Sequence, residues 1–173
     1  MQLITQILHK PNLTLNGKIV LREAVRAIIL RGNQVLMVYS TLNGDYKFPG
    51  GGVEEGEEYI TTLKREIKEE CGAQLKTILG EFGRVEEYDR AEEEEFDLFR
   101  MNSYYYQCEV DDGFGVQKLD DYEFAYGFKP EWVSIEHAID VNRALLENPP
   151  PNIQRWVRRE LLVLETIQER LRQ

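Results

Sequence analysis

Three glutamates carry the strongest chemical signal in this sequence. Glu66, Glu69 and Glu70 stand at i, i+3 and i+4, so on a helix of about 3.6 residues per turn their carboxylates fall within about a 100° arc. Like charges spaced this way repel by several tenths of a kcal/mol per exposed pair, roughly as much as an opposite pair would gain. Helix stability alone does not ask for them. Oxygen-only donors suit hard divalent cations such as Mg²⁺ or Mn²⁺, and those cations bridge phosphate oxygens well. Just upstream runs Pro49-Gly50-Gly51-Gly52-Val53-Glu54-Glu55-Gly56-Glu57, whose glycines let backbone carbonyls and N–H groups approach a metal or a phosphate with no Cβ in the way. A carboxylate helix face behind a glycine loop points to metal-assisted cleavage of a phosphoanhydride.

Such side chains need a rigid support. Residues 58–71 read as the helix that carries them, with Gly72 as its stop. Ile60, Leu63 and Ile67 lie on the neighbouring arc, where they can bury against a sheet. The sheet begins with a β-branched, apolar run at residues 19–30, turn chemistry at 31–34 and a second strand at 35–39. Further extended segments are predicted at 75–84, 101–110 and 129–133. Ser134 should cap a helix that ends before Pro149-Pro150-Pro151, and a last helix starting near residue 152 carries Ile153, Trp156, Val157, Leu161, Leu164, Ile167 and Leu171 on one stripe. The pattern is that of an α/β or α+β sandwich, helices on both sides of a mixed sheet. The acidic stretch at 86–90 and the run at 92–95 read as a solvated loop.

Composition narrows the function classes. The chain has 173 residues with 42% hydrophobic content, which suits a single domain over 1–173 with a real core. Its uncharged apolar runs, such as Ala27-Ile28-Ile29-Leu30, are far short of the roughly 20 residues a bilayer needs, and the first ten residues lack a leader pattern. We therefore expect no membrane partner. A net charge of −10, from 31 acidic against 21 basic residues, disfavours duplex nucleic acid. Two cysteines without C-x-x-C spacing fit free thiols in a reducing, cytoplasmic setting. His9 and His137 have no triad or ligand spacing and read as surface or cap residues, and the chain has no G-x-S-x-G, so Ser/His chemistry is unsupported. Tyr46, Phe48 and the Tyr104-Tyr105-Tyr106 run could stack on a base or fill a core; Tyr46 and Phe48, on the loop that leads to Gly50, are the expected base-stacking residues. Arg22 and Arg26 share one face of the first long strand and could reach a phosphate or pair with the many acids.

Residues 51–73 resemble the signature of the Nudix hydrolases, G-x5-E-x7-R-E-U-x-E-E-x-G-U, where U is a bulky aliphatic residue. Gly51, Glu57, Arg65, Glu66, Ile67, Glu69, Glu70 and Gly72 match it, and only Ala73 is smaller than usual. The resemblance implies a Nudix-type α/β/α sandwich with a mixed sheet, here with a C-terminal helix, and a Mg²⁺- or Mn²⁺-dependent hydrolase acting on a small nucleotide. It implies metal ligation by Glu69 and Glu70, a ligand or general-base role for Glu66, and a backbone carbonyl ligand from Gly50 or Gly51. Glu57 would complete the metal site or orient Arg65, and Arg65 would hold a carboxylate rather than touch substrate. Family members often place a further acid in a later loop; Glu123 is the best candidate, with Asp120, Asp121 and residues 92–95 as competitors. The proline that often marks ADP-ribose hydrolases is replaced here by Tyr88-Asp89, and the coenzyme A pyrophosphatase motif is absent. A MutT-like nucleoside triphosphate hydrolase, oxidised nucleotides included, is the expected function. The alternatives are a dinucleoside polyphosphate hydrolase and a non-catalytic Nudix-fold binding module, and the complete set of box glutamates speaks against the latter.

Overall fold

The computed structural model describes residues 1–172. Seven strands, β1 (Leu3–Leu8), β2 (Ile19–Arg31), β3 (Gln34–Ser40), β4 (Tyr46–Lys47), β5 (Leu75–Asp89), β6 (Leu98–Val110) and β7 (Phe128–Ser134), alternate with α1 (Tyr59–Cys71), α2 (Asp121–Tyr126), α3 (Ile135–Glu147) and α4 (Trp156–Leu171). The sheet order is β1-β5-β6-β2-β3-β4, with β7 on the other edge of β3. Pairs β1·β5 and β2·β6 are parallel and the rest antiparallel, so the sheet is mixed.

Side-chain alternation explains the layers. Val25, Ala27 and Ile29 of β2 and Leu36 and Val38 of β3 pack with Leu63, Ile67 and Cys71 of α1. Their neighbours Ile28, Val35 and Met37 point the other way, into a second core with Ile135 and Ile139 of α3 and Leu161, Leu164 and Ile167 of α4. Both faces are covered, which gives the α/β/α sandwich with its C-terminal helix.

The site is made possible by a parting of two strands. β2 pairs with β3 only at the hairpin end, Leu30 with Val35 and Arg31 with Gln34. Beyond it the free edge of β2 takes up the glycine loop instead: Val25 N donates to Gly51 O (3.0 Å), Ala27 N to Pro49 O (2.8 Å) and Val53 N to Glu23 O (2.9 Å). Gly50 sits at φ 140°, and a Cβ there would lie 2.0 Å from Val25 O, so this close approach requires glycine.

Several sequence expectations are corrected. Ile60 is 48% exposed; it lies in the first turn of α1, and Leu63, Ile67 and Cys71 form the buried side. α4 begins at Trp156 rather than near 152. Of the stretch at 86–90, residues 86–89 are strand, with Glu86, Glu87 and Asp89 buried. Glu86 is held by Gln6 (2.8 Å) and Arg100 (3.0 Å), Glu87 by Arg159 (2.6 Å) and His9 (3.0 Å), and Asp89 by Arg155 (2.7 Å). Burial of those acids is sustained by their partners, and His9, half-buried, takes part in that network rather than standing free on the surface. Residues 92–95 are exposed. β1, β4 and α2 were not anticipated.

Candidate active site

α1 delivers its carboxylates through one buried seam. Thr62, Leu63, Glu66, Ile67, Glu70 and Cys71 are its buried residues; the i, i+4 steps place Glu66 and Glu70 beside the apolar contacts that fix the helix on the sheet. Glu123, on α2, joins them: one ligand atom from each of Glu66, Glu70 and Glu123 lies within 4.8 Å of the others. Glu123 is positioned by a capping box, its backbone N donating to Asp120 Oδ1 (3.1 Å) while its Oε2 accepts from Asp120 N (3.0 Å). This D-x-x-E pattern with Gly127 as the helix stop was the sequence signal for α2. Glu69 stands apart from the cluster, with Oε2 3.3 Å from Arg65 Nη1, on the wall of the same cleft of about 450 Å³.

Arg65 organises the rim. It makes a bidentate pair with Glu57, Nε to Oε1 at 3.1 Å and Nη2 to Oε2 at 2.9 Å, and reaches Glu66 Oε1 at 2.7 Å. Those hydrogen bonds hold the Glu57 carboxyl down at about 2. Glu57 is thereby engaged with Arg65 and not in the three-carboxylate cluster. Gly51 is the other close approach: a Cβ there would meet the Glu66 carboxylate at 2.3–2.6 Å.

The cluster is charged beyond its local compensation. Burial, and then the charge of Glu70, raise the Glu66 carboxyl above its ordinary value; the same two causes in the same order push Glu123 up to about 7. Glu70, with no exposed surface, accepts hydrogen bonds from Gly50 N (2.8 Å) and from the ammonium of Lys47. Lys47 was missed in the sequence; a lysine beside Tyr46 and Phe48 in a short strand was its only trace. An all-oxygen set of three buried carboxylates with uncompensated charge fits a hard divalent cation. The carbonyls of Gly50 and Gly51 accept from Arg26 Nη1 and Val25 N, and each keeps a second lone pair.

The other sequence candidates separate. Tyr46 is buried against Tyr39 and His137, donates its hydroxyl to Glu131 (3.2 Å), and its backbone is held by Asn142 of α3. Phe48 is buried edge-on to Tyr105. Both belong to the core under α3 and α4, so the expectation that they meet the base is corrected: they are adjacent to the loop in chain order but project to the opposite side. Tyr105 is in the same core, whereas Tyr104 stacks on Tyr59 at 4.9 Å and both hydroxyls donate to Glu23. Arg22 is exposed on a groove of about 590 Å³ that shares Gly52 and Glu54 with the carboxylate cleft. Arg26 is buried behind the glycine loop. No helix among the described residues is long and apolar enough to cross a membrane.

No curated protein sequence matches the chain. Among solved structures, a MutT NUDIX hydrolase from Burkholderia pseudomallei aligns with a TM-score of 0.54 at 20% identity, covering 82% of this chain and 96% of that one. A NUDIX hydrolase from Nitrosomonas europaea aligns at 0.51, also at 20% identity, covering 72% and 79%. At such identities these likenesses speak to the fold. The family profile described as NUDIX domain matches residues 20–157, which span β2 through the start of α4 and include every carboxylate of the cluster, and on that match the chain belongs to the Nudix family of hydrolases.

Proposed function

We propose that this protein is a divalent-cation-dependent pyrophosphohydrolase whose substrate is a nucleoside triphosphate, oxidised forms included, and whose products are a nucleoside monophosphate and pyrophosphate. The observation that carries this reading is the cluster of Glu66, Glu70 and Glu123 at the base of a cleft walled by Gly51 and Gly52. Glu66, Glu70 and Glu123 would hold Mg²⁺ or Mn²⁺, with Glu69 and the Gly50 or Gly51 carbonyl available at the rim. The cation supplies charge neutralisation on the phosphate oxygens and a more acidic water.

The remaining work falls to the chain. Arg65 keeps Glu57 and Glu66 in fixed orientation, so the carboxylates need no rearrangement as charge develops. Water adds to one of the two phosphorus atoms joined by the α–β bridge of the triphosphate, the bridging P–O bond breaks so that nucleoside monophosphate and pyrophosphate part, and a carboxylate takes the water's proton. Glu123, fixed by its own capping box on α2 and lining the cleft, is placed to take that proton. The neighbouring groove, with Leu21, Val53 and Tyr59 as apolar surface and Arg22 as an exposed cation, is large enough for a nucleoside.

A panel of nucleoside triphosphates, nucleoside diphosphate sugars and dinucleoside polyphosphates, incubated with Mg²⁺ and resolved by product mass, tests the assignment. Monophosphate and pyrophosphate from a triphosphate is the expected pair. Orthophosphate as the first product, or no turnover of any member, would contradict it.

A further inference from the structure

The connection from β6 to α2, residues 111–120, crosses the C-terminal end of α1, the helix that carries Glu66 and Glu70. Gln117 and Leu119 are its partly buried residues, and the rest are exposed. Apolar packing therefore does little to place it, and hydrogen bonds must. An α-helix ends in carbonyls that have no partner within the helix, and the connection takes up two of those in α1. Lys118 N donates to Glu69 O (2.9 Å), and the Gln117 amide donates to Glu70 O. Just past the helix, Gly115 N donates to Gly72 O (2.7 Å). A Cβ on Gly72 would lie 2.4 Å from Gly115 O, so the glycine that stops α1 also lets the connection pass.

Gln117 does more than cap. Its Nε2 also donates to the carbonyl of Phe128, the first residue of β7, at 3.1 Å. Both partners are acceptors, so the amide nitrogen is the atom that faces them. One side chain thus joins the last turn of α1 at Glu70, the start of β7, and the connection that runs on through Leu119 and Asp120 to Glu123. The capping box of Asp120 sets how Glu123 stands on α2; it does not set where α2 stands beside α1. Yet Glu66 and Glu70 ride on α1, Glu123 rides on α2, and their ligand atoms lie within 4.8 Å of one another. That span closes only while the two helices keep their places.

We propose that Gln117 is the positioning residue that holds Glu123 beside Glu66 and Glu70, and that it thereby sets the affinity of the three-carboxylate cluster for a divalent cation. Groups that orient ligands without touching the metal typically change affinity by about 10- to 100-fold when removed. Gln117 acts through backbone carbonyls, so its replacement leaves every carboxylate present and alters their spacing. This inference rests on the hydrolase reading above, and its test separates the two.

The experiment measures Mn²⁺ binding by electron paramagnetic resonance, on EDTA-stripped protein well below its melting temperature. Wild type, Gln117→Met, Glu123→Gln and the double variant form a cycle. Methionine keeps the length of the side chain and loses its donor. Gln117→Met should weaken Mn²⁺ binding by about tenfold or more. In the Glu123→Gln background the same change should cost less than about twofold, because the carboxylate that Gln117 positions is already gone. A merely structural role would weaken binding by the same factor in both backgrounds. If Gln117→Met does not fold, Gln117→Asn, whose amide stops one methylene short, takes its place in the cycle. Unchanged affinity in the single variant, or equal losses in the two backgrounds, overturns the proposal and leaves the hydrolase reading standing. The expected pattern in a protein that hydrolyses no nucleotide supports the role of Gln117, and the hydrolase reading alone fails. Absence of Mn²⁺ binding in wild type overturns both.

Discussion

Glu70 is the most constrained side chain of the site, fully buried between the Lys47 ammonium and the Gly50 N–H. On helix spacing alone, replacing any of the three glutamates by Gln relieves repulsion and should leave stability level or higher. The Lys47 contact reverses that for Glu70. Glu70→Gln leaves a buried ammonium without its counter-charge, so it should destabilise the metal-free protein by about 3 kcal/mol in chemical denaturation, whereas Glu66→Gln should be neutral or stabilising. Equal midpoints for the two variants would show that the Lys47 pair contributes little. Glu123 yields a pH prediction. Its folded value of about 7 lies above the ordinary 4.5, so its contribution to stability is complete below about 4.5 and is lost as pH rises through about 7. In EDTA, melting temperature should rise between pH 8 and pH 6, and Glu123→Gln should flatten that rise. Spacing in the sequence revealed Glu66 and Glu70, but it could not separate Glu69 from Glu70, because an offset of one residue is decided by which side of α1 the sheet occupies.

The elements were legible where periodicity or punctuation was strong. β2, β3, the 31–34 turn, α1 with its Gly72 stop and the Ser134 cap all stand within a few residues of their expected places. β5 was cut short because its acids look solvated in one dimension; their partners Arg159, Arg100 and His9 lie on other elements. Tyr46, on β4, was misjudged for a related reason: its position in the chain says nothing about which sheet face it takes. Tyr46→Ala should therefore cost about 3–5 kcal/mol of stability, as large-to-small core changes do, and leave KM for the nucleotide unchanged. A raised KM at full stability would return Tyr46 to the binding site. The glycine loop offers the complementary case. In Gly51→Ala the new Cβ meets a carboxylate end, which can move, rather than backbone. The fold should survive with a melting temperature within a few degrees of wild type, while displacement of Glu66 lowers turnover by more than about tenfold. Full turnover in Gly51→Ala would show that Glu66 need not be held where α1 places it.

At the scale of the whole molecule, the parting of β2 and β3 is what joins fold to chemistry. It opens the β2 edge to the glycine loop, and the loop in turn bonds Glu70 through Gly50 N. The sandwich could be inferred from alternating elements and the helix stripe, but this parting could not, since no local residue pattern encodes where two long strands stop pairing. α4 closes the far side through Arg159, whose contacts to Glu87 and Glu160 tie it to β5 and to the Phe48 backbone that Glu160 accepts from. The sandwich, the glycine loop and the carboxylate cluster together underlie the central proposal, that Glu66, Glu70 and Glu123 hold the cation that hydrolysis requires. Its most direct test is the initial rate of hydrolysis of the best substrate as Mg²⁺ is titrated into EDTA-treated wild type and Glu70→Gln side by side. The account predicts no turnover before Mg²⁺, recovery in wild type as it is added, and a rate in Glu70→Gln lower by more than about tenfold at every concentration. Turnover that persists in EDTA, or a Glu70→Gln curve that overlays wild type, would contradict it.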